Sequence, residues 1–340
     1  MRISNLQSHR AFLMLAMCAL SLASIVFACL IGSVSLTINE LMHAMLELVQ
    51  GQAQSLASSL LDLRLTRALS GFVTGATLAL SGVLMQALLR NPLADPYVLG
   101  LSSGASVGAL LTLLFVGVGI MVDVSAFIGA LSVATILFAL AYRDFKGSGS
   151  AEGSAPLLLL TGVIIASGCG AIITLVLTIA PDSSLRNMIF WMIGDLSNTQ
   201  NRLYSWIIYF VIIVLMMKNA GAINIAAMHA DNASTLGVNI GRLRKLLFFC
   251  AALLTASAVS SAGSIGFVGL IIPHACRFVL GPDHRLLIPV ASMVGGSFLV
   301  FADTLARTIV APHQLPVGVI TALIGVPVFL YQLHQLRKST

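Results

Sequence analysis

Apolar runs of about 20 residues, each long enough to cross roughly 30 Å of hydrocarbon, recur along the whole chain. They predict ten membrane-spanning helices, near 11–35, 64–87, 97–114, 120–142, 156–180, 203–217, 244–262, 265–280, 286–305 and 316–334. Several of these runs are short and glycine-rich, and a short or irregular helix is tolerated only against protein or a cavity. The pattern therefore predicts a bundle with sheltered inner helices.

Two polar intervals keep helical periodicity. In residues 38–50 the apolar Ile38, Leu41, Met42, Met45, Leu46 and Val49 share one face, opposite Glu40, His43, Glu47 and Gln50. That is the signature of an interfacial helix. Residues 181–198 look similar: Pro181 ends a span, Asp182, Ser183 or Ser184 can cap a short helix, and Ile189, Trp191 and Met192 anchor it. The sharpest interruption is Asn91–Asp95 with its flanking prolines, Pro92 and Pro96. Asn and Asp side chains bond to nearby backbone while the prolines fix the chain direction, so a rigid corner is expected there. The longest interior polar stretch, 218–245, is expected to hold two surface helical pieces separated by Gly237 and Gly241. Residues 144–156 are a Gly/Ser-rich turn.

Composition agrees with the pattern. Of 340 residues 58% are hydrophobic and 9% charged, with mean hydropathy +1.00; a soluble chain would be about a quarter charged. The chain is therefore expected to be an all-α polytopic membrane protein of one domain, 1–340, and a soluble enzyme is excluded. The N-terminal apolar run exceeds the length of a signal peptide, which favours a first helix that is kept. The net charge of +6 resides in loops with no interleaved aromatics, so membrane lipid rather than nucleic acid is the expected partner. With the N-terminus inside, thirteen of the 18 Lys and Arg fall on the cytoplasmic side. That bias places both termini there. Arg64, Arg67, Arg186, Arg202 and Arg307 fall outside.

Small residues recur at helix-contact spacing, as in Gly71–Gly75, Gly100–Gly104–Gly108 and Gly295/Gly296, which lets backbones approach closely. Candidate chemistry is sparse. The five cysteines form no CxxC pair and read as small apolar residues. The seven histidines have no metal-ligand spacing, and neither a phosphate loop nor a hydrolase motif is present. Asp303 is the acidic group nearest a span interior, and Arg307 follows at i+4, where a helix-end ion pair is expected. No proton wire is visible, so the energy for any transport should come from elsewhere.

The stretches LRLTRAL (63–69), SGVLMQALLRNPLADPYVLGLSSGA (81–105), GSIGFVGLIIPHACR (263–277) and LPVGVITALIGVPVFLYQL (315–333) give the chain a resemblance. It resembles the BtuC-like, or FecCD-type, permease subunits of ABC importers for iron–siderophore, haem and vitamin B12. The resemblance covers nearly the full length and implies a ten-helix subunit, non-catalytic and binding no cofactor itself. It further implies a second copy of the chain, two cytoplasmic ATP-binding subunits that hold ATP-Mg, and a periplasmic or lipid-anchored substrate-binding protein. A bacterial inner membrane location goes with it.

By the same resemblance, Arg64, Arg67 and Arg307 are expected to dock the binding protein. Asn91, Pro92, Asp95, Pro96 and Asp195 are expected at gates. Coupling helices are expected over 220–241, with Leu236, Gly237, Gly241, Arg242 and Arg244 meeting the ATPase. Iron chelates rank first as cargo, then cobalamin, then haem. An ion-driven carrier is the remaining alternative.

Overall fold

The computed structural model describes residues 2–32, 34, 37–51, 55–117, 119–142, 151–197, 203–228 and 236–339. Helix α1 (Arg2–Leu30) leads to the short α2 (Ile38–Val49) and then to the 34-residue α3 (Leu56–Leu89). A 3-10 turn, Pro96–Leu99, precedes α4 (Leu101–Phe115) and α5 (Ile120–Leu140). The chain continues through α6 (Ala151–Ile179), α7 (Asp182–Ile193), α8 (Leu203–Met228) and α9 (Ile240–Ala262). It ends with α10 (Val268–Leu280), α11 (His284–Thr308) and α12 (Val317–Ser339).

Seven of these helices are long and apolar enough to span a membrane: α1, α3, α5, α6, α8, α9 and α11. With the shorter apolar α4, α10 and α12 they make the ten helices expected from the pattern. The structure is an all-α bundle whose helix count is the one the resemblance implies.

Helices α3, α9 and α11 form the centre, and α3 is the most enclosed, with 89% of its apolar window buried against 11% for α1 and 17% for α6. Close helix contact explains this. A Cβ at Gly75 would overlap the Gly295 carbonyl, and one at Gly82 would overlap the carbonyl of Gly269. At both points α3 meets a neighbour backbone to backbone, where van der Waals packing replaces the hydrophobic effect.

Helices α4 and α10 have 15 and 13 residues, about 22 Å and 20 Å at 1.5 Å per residue. Neither crosses about 30 Å of hydrocarbon alone. Both start inside the bundle. Gly269 lies against Leu78 and Pro96, and Ser102 Oγ donates to Ser264 Oγ at 2.7 Å. Non-helical backbone is thus sheltered by protein, as lipid requires. The third span accordingly begins at Leu101, after a 3-10 turn, and the eighth at Val268.

Three sequence expectations are corrected. Residues 218–228 are not a separate surface piece: α8 runs unbroken from Leu203 to Met228, and Arg90 and Asp283 bond to its last turns. Gly241 separates nothing, since it lies in the first turn of α9, which Asn239 caps by accepting the Arg242 N–H at 3.0 Å. The N-cap of α7 is Pro181, with no side-chain hydrogen bond, so Asp182, Ser183 and Ser184 lie inside the helix. Residues 229–235 of the predicted coupling segment, 220–241, lie outside the described residues.

Helix α2 forms as its periodicity predicts. Thr37 and Glu40 close a capping box, and Ala44 is buried where α2 packs on α3. Ile38, Met42, Met45 and Leu46 point outward.

Candidate functional site: the two ends of the bundle

At the end where α1 meets α3, three arginines converge from two helices. Arg67 of α3 grips Asp303 of α11 bidentately, with Nε 2.9 Å from Oδ2 and Nη2 2.8 Å from Oδ1. Its Nη1 donates to Gln314 Oε1 at 2.9 Å. Arg307, one turn beyond Asp303, brings Nε to 3.5 Å from Oδ2 and donates Nη2 to the Ala28 carbonyl at 2.7 Å. Arg64 donates Nη1 to the Cys29 carbonyl at 3.1 Å and Nη2 to the carbonyl of Val34.

Ala28 and Cys29 belong to the last four carbonyls of α1, which have no intrahelical partner. The last turn of α1 contains no basic residue. Arg64 and Arg307 therefore cap α1 from outside and complement its negative end. The helix-end ion pair expected from Asp303 and Arg307 is present, with Arg67 as a stronger third member.

Arg64, Arg67 and Arg307 are 6%, 9% and 7% exposed. Their guanidinium groups bond within this chain, to Asp303, Gln314 and the carbonyls of Ala28, Cys29 and Val34. Arg67 is held as a fork by the Asp303 carboxylate, and the three arginines together join α1, α3, α11 and the 309–316 loop.

Beside this cluster lies a cleft of about 400 Å³ between the start of α5, helix α7 and the end of α9. Asp123, Arg186, Trp191, Asp195, Ser197 and Gln314 supply its polar and aromatic wall. Gln314 is thus shared between the cleft and the arginine cluster. The Arg186 guanidinium sits 5.5 Å from the Phe190 ring centre. Asp195 accepts from Ser197 N–H at 2.9 Å and from its hydroxyl, while its own N–H donates to the Ala262 carbonyl at 2.9 Å. It fastens the exit of α7 to the end of α9, and its carboxylate lines the cleft.

The opposite end is built from single hydrogen bonds, most of them to backbone groups. Arg90 ends α3 in a left-handed conformation, φ 49°, and donates to the Ala226 carbonyl at 2.6 Å. Asn91 Oδ1 accepts the Leu93 N–H at 2.9 Å and Asp95 Oδ1 the Tyr97 N–H at 2.8 Å. Pro96 opens the 3-10 turn, where its missing N–H costs nothing. The rigid corner expected from this sequence is present. Burial pushes the Asp95 carboxyl up to about 6, opposed by the Tyr97 N–H that favours its charge.

The ATPase-facing candidates separate. Leu236 is exposed and Gly237 adopts φ 78° in the turn before α9. Arg242 is exposed, whereas Arg244 is buried, and Lys245 sits 5.2 Å over the Tyr142 ring. Of these basic residues Arg242 is the one turned fully outward.

Sequence reasoning passed over Asn224, Asp283 and His284. Asn224 Nδ2 donates to Asp283 Oδ1 at 2.7 Å, and Asn224 Oδ1 accepts the His284 N–H at 2.9 Å. A Pro-Asp pair before an apolar run is an N-cap signal, and Asp283 does cap α11 through the Arg285 N–H at 3.0 Å. Gln314 was also missed, and no local pattern marks it.

Comparison with known proteins places this architecture. The model of the FecCD transport family matches residues 19–335. The chain is 41% identical to a cobalamin import system permease protein, BtuC, of Halobacterium salinarum, over 80% of this chain and 72% of that one. It is 38% identical to the hemin transport system permease protein HmuU of Yersinia pestis, over 82% of this chain and 84% of the other. Among solved structures, a metal-chelate type ABC transporter in an inward-facing conformation superposes with a TM-score of 0.83 at 26% identity. The superposition covers 96% of this chain and 99% of that one.

Proposed function

We propose, because this chain belongs to the FecCD transport family, that it carries an intact metal complex inward across the bacterial inner membrane. The family is that of permease subunits of ABC importers, so the chain is a multi-span membrane subunit whose energy comes from an ATPase partner. The observation that supports this reading most is the superposition on a metal-chelate type transporter over 96% of the chain.

In this reading two copies enclose the path, and a substrate-binding protein delivers cargo at the end bearing the 400 Å³ cleft. Two ATP-binding subunits, holding ATP-Mg, press on the other end around Leu236 and Arg242. The excess of basic residues at that second end supports placing it, and both termini, in the cytoplasm. The chain itself does no covalent chemistry. It supplies two arrangements differing by a few kcal/mol, which nucleotide and docking energies can bias.

The relatives alter the cargo order expected from sequence. Cobalamin moves first on the 41% identity of the BtuC relative and haem follows on HmuU. An iron(III)–siderophore chelate remains the third cargo. All three are bulky metal chelates, a shared class that suits the metal-chelate neighbour. An ion-driven carrier finds less support. Asp303, its best candidate proton carrier, is held between Arg67 and Arg307.

The cargo is tested by purifying the chain with its ATPase and binding protein and adding cobalamin, haem or a ferric hydroxamate chelate in turn. Stimulation of ATP hydrolysis by cobalamin-loaded binding protein is expected. Stimulation by haem or the ferric chelate alone would reassign the cargo, and none by any of the three would remove the chelate class.

A further inference from the structure

Helix α10 ends in a corner where polar atoms outnumber their partners. Arg277, in its last turn, has Nε and Nη2 enclosed without a hydrogen bond. His274 Nδ1, one turn earlier, and His284 Nε2, at the start of α11, are enclosed and unpaired as well. The two histidines are 6% and 1% exposed. The Arg277 charge acts on both rings, so the three side chains form one cluster.

The carboxylate beside His284 is Asp283, and it is engaged elsewhere. Its Oδ1 accepts from Asn224 Nδ2 at 2.7 Å and from the Arg285 N–H at 3.0 Å. His284 Nδ1 lies 2.8 Å from Asn224 Oδ1. An amide oxygen only accepts, so the ring proton is on Nδ1 and Nε2 keeps a lone pair. The cluster therefore offers guanidinium donors beside one imidazole acceptor. A buried cation without a counter-ion keeps its full desolvation cost, which an anion would offset.

The surroundings point to the source of that anion. Arg277 is half-buried, and the next two residues, Phe278 and Val279, are exposed. Large apolar side chains turned outward at the end of a span face lipid. At that level a bilayer presents its phosphate groups, and basic pockets between spans hold lipid headgroups. Arg285, exposed at the start of α11, adds a second cation at the same turn. The flexible stem of Arg277 lets its guanidinium swing toward the headgroup level and open the way to His284.

We infer that the α10–α11 corner is a binding site for a phosphate group with a hydroxyl close to it. Arg277 grips two phosphate oxygens through Nε and Nη2, the fork geometry of arginine–phosphate pairs. His284 Nε2 accepts the hydroxyl proton, and His274 lines the site. A phosphatidylglycerol headgroup and a hydrogen phosphate ion share this chemistry. Phe278 and Val279, a seat for acyl chains, favour the lipid.

The test uses the full chain, stripped of lipid in detergent, with phosphatidylglycerol, phosphatidylcholine or inorganic phosphate added. Phosphatidylcholine keeps the phosphate and lacks the hydroxyl. Native mass spectrometry should show phosphatidylglycerol held about tenfold more tightly than phosphatidylcholine, the weight of a charge-assisted hydrogen bond. It should also raise the thermal midpoint. Arg277→Met should bring the two lipids within about twofold of each other. Arg277→Lys, which keeps the charge and loses the fork, should lose most of the preference and carries the test if the Met variant does not fold. Arg285→Gln should keep the preference within about threefold.

A midpoint rise with inorganic phosphate equal to that with phosphatidylglycerol would make the free ion the ligand of the same site. Equal retention of both lipids by the wild type, with no response to phosphate, overturns the inference. So does a preference that survives both Arg277 substitutions, or one that only Arg285→Gln removes.

Discussion

The two ends of this bundle are held by different physics. At one end Asp303 lies between Arg67 and Arg307, buried and charged. At the other, Asn224, His284, Arg90 and the 90–96 turn are joined mostly through amides and carbonyls. A buried ion pair is costly to open, because each charge left alone keeps its desolvation penalty. A single hydrogen bond with one charged partner, such as Arg90 to Ala226 or Asn224 to Asp283, is worth about 1.5–3 kcal/mol and leaves no charge pair to separate. The first end is therefore built to stay closed on itself, and the second to be rearranged. That asymmetry fits a subunit that receives cargo at a fixed mouth and is driven from the opposite face.

The largest expected effect is at the charged end. Asp303→Ala strands Arg67 and Arg307, and should lower stability by about 3–5 kcal/mol, seen as a fall in the thermal midpoint of the detergent-solubilised protein. A loss below about 1 kcal/mol, the range of an exposed pair, would erase the contrast between the ends.

Asn224→Ala should cost less stability, about 1.5–3 kcal/mol, in the same assay. Equal losses at Asp303 and Asn224 would mean that both ends are clamped alike.

Asp95 gives a smaller, pH-dependent effect. Its carboxyl is raised from 3.8 to about 6 by burial, so the fold favours the protonated form. The stability it contributes is complete below its unfolded value and is lost as pH rises through about 6. The thermal midpoint should therefore drop between about pH 4 and pH 6, and Asp95→Asn, which keeps an oxygen for the Tyr97 N–H, should flatten that drop. An identical slope in the variant would assign the titration to another group.

Salt should matter least. Raising it from about 0.1 M to 1 M shortens the Debye length from about 10 Å to 3 Å, which weakens exposed pairs and hardly touches buried ones. The midpoint should move little, and a large shift would place the Asp303 cluster in contact with solvent.

The legibility of this architecture in the sequence followed the range of the forces involved. Spans are written in contiguous apolar runs, so α5, α6 and α11 appeared near their observed positions. Helix α2 was legible from its period, and the 90–96 corner from Asn91, Asp95 and their flanking prolines. Local pattern misjudged α8, since its polar last turns read as a surface piece, and tertiary bonds from Arg90 and Asp283 hold them in helix instead.

The candidate site was less legible because its pairs are remote. Arg67 and Asp303 are 236 positions apart, and neither residue carries a local sign of the other. Arg64, Arg67 and Arg307 stood out as arginines on the less basic side, which marked them as special. That Arg64 and Arg307 turn inward to cap α1 depends on Ala28, Cys29 and Val34, whose backbone carbonyls have no sequence signature.

Whether the chain is the driven half of an ATP-powered importer is tested most directly in sealed vesicles containing this chain and its binding protein, with and without the ATPase subunits. Cobalamin accumulation is expected only when the ATPase and ATP are supplied together. Accumulation under an ion gradient, with the ATPase left out, would contradict it.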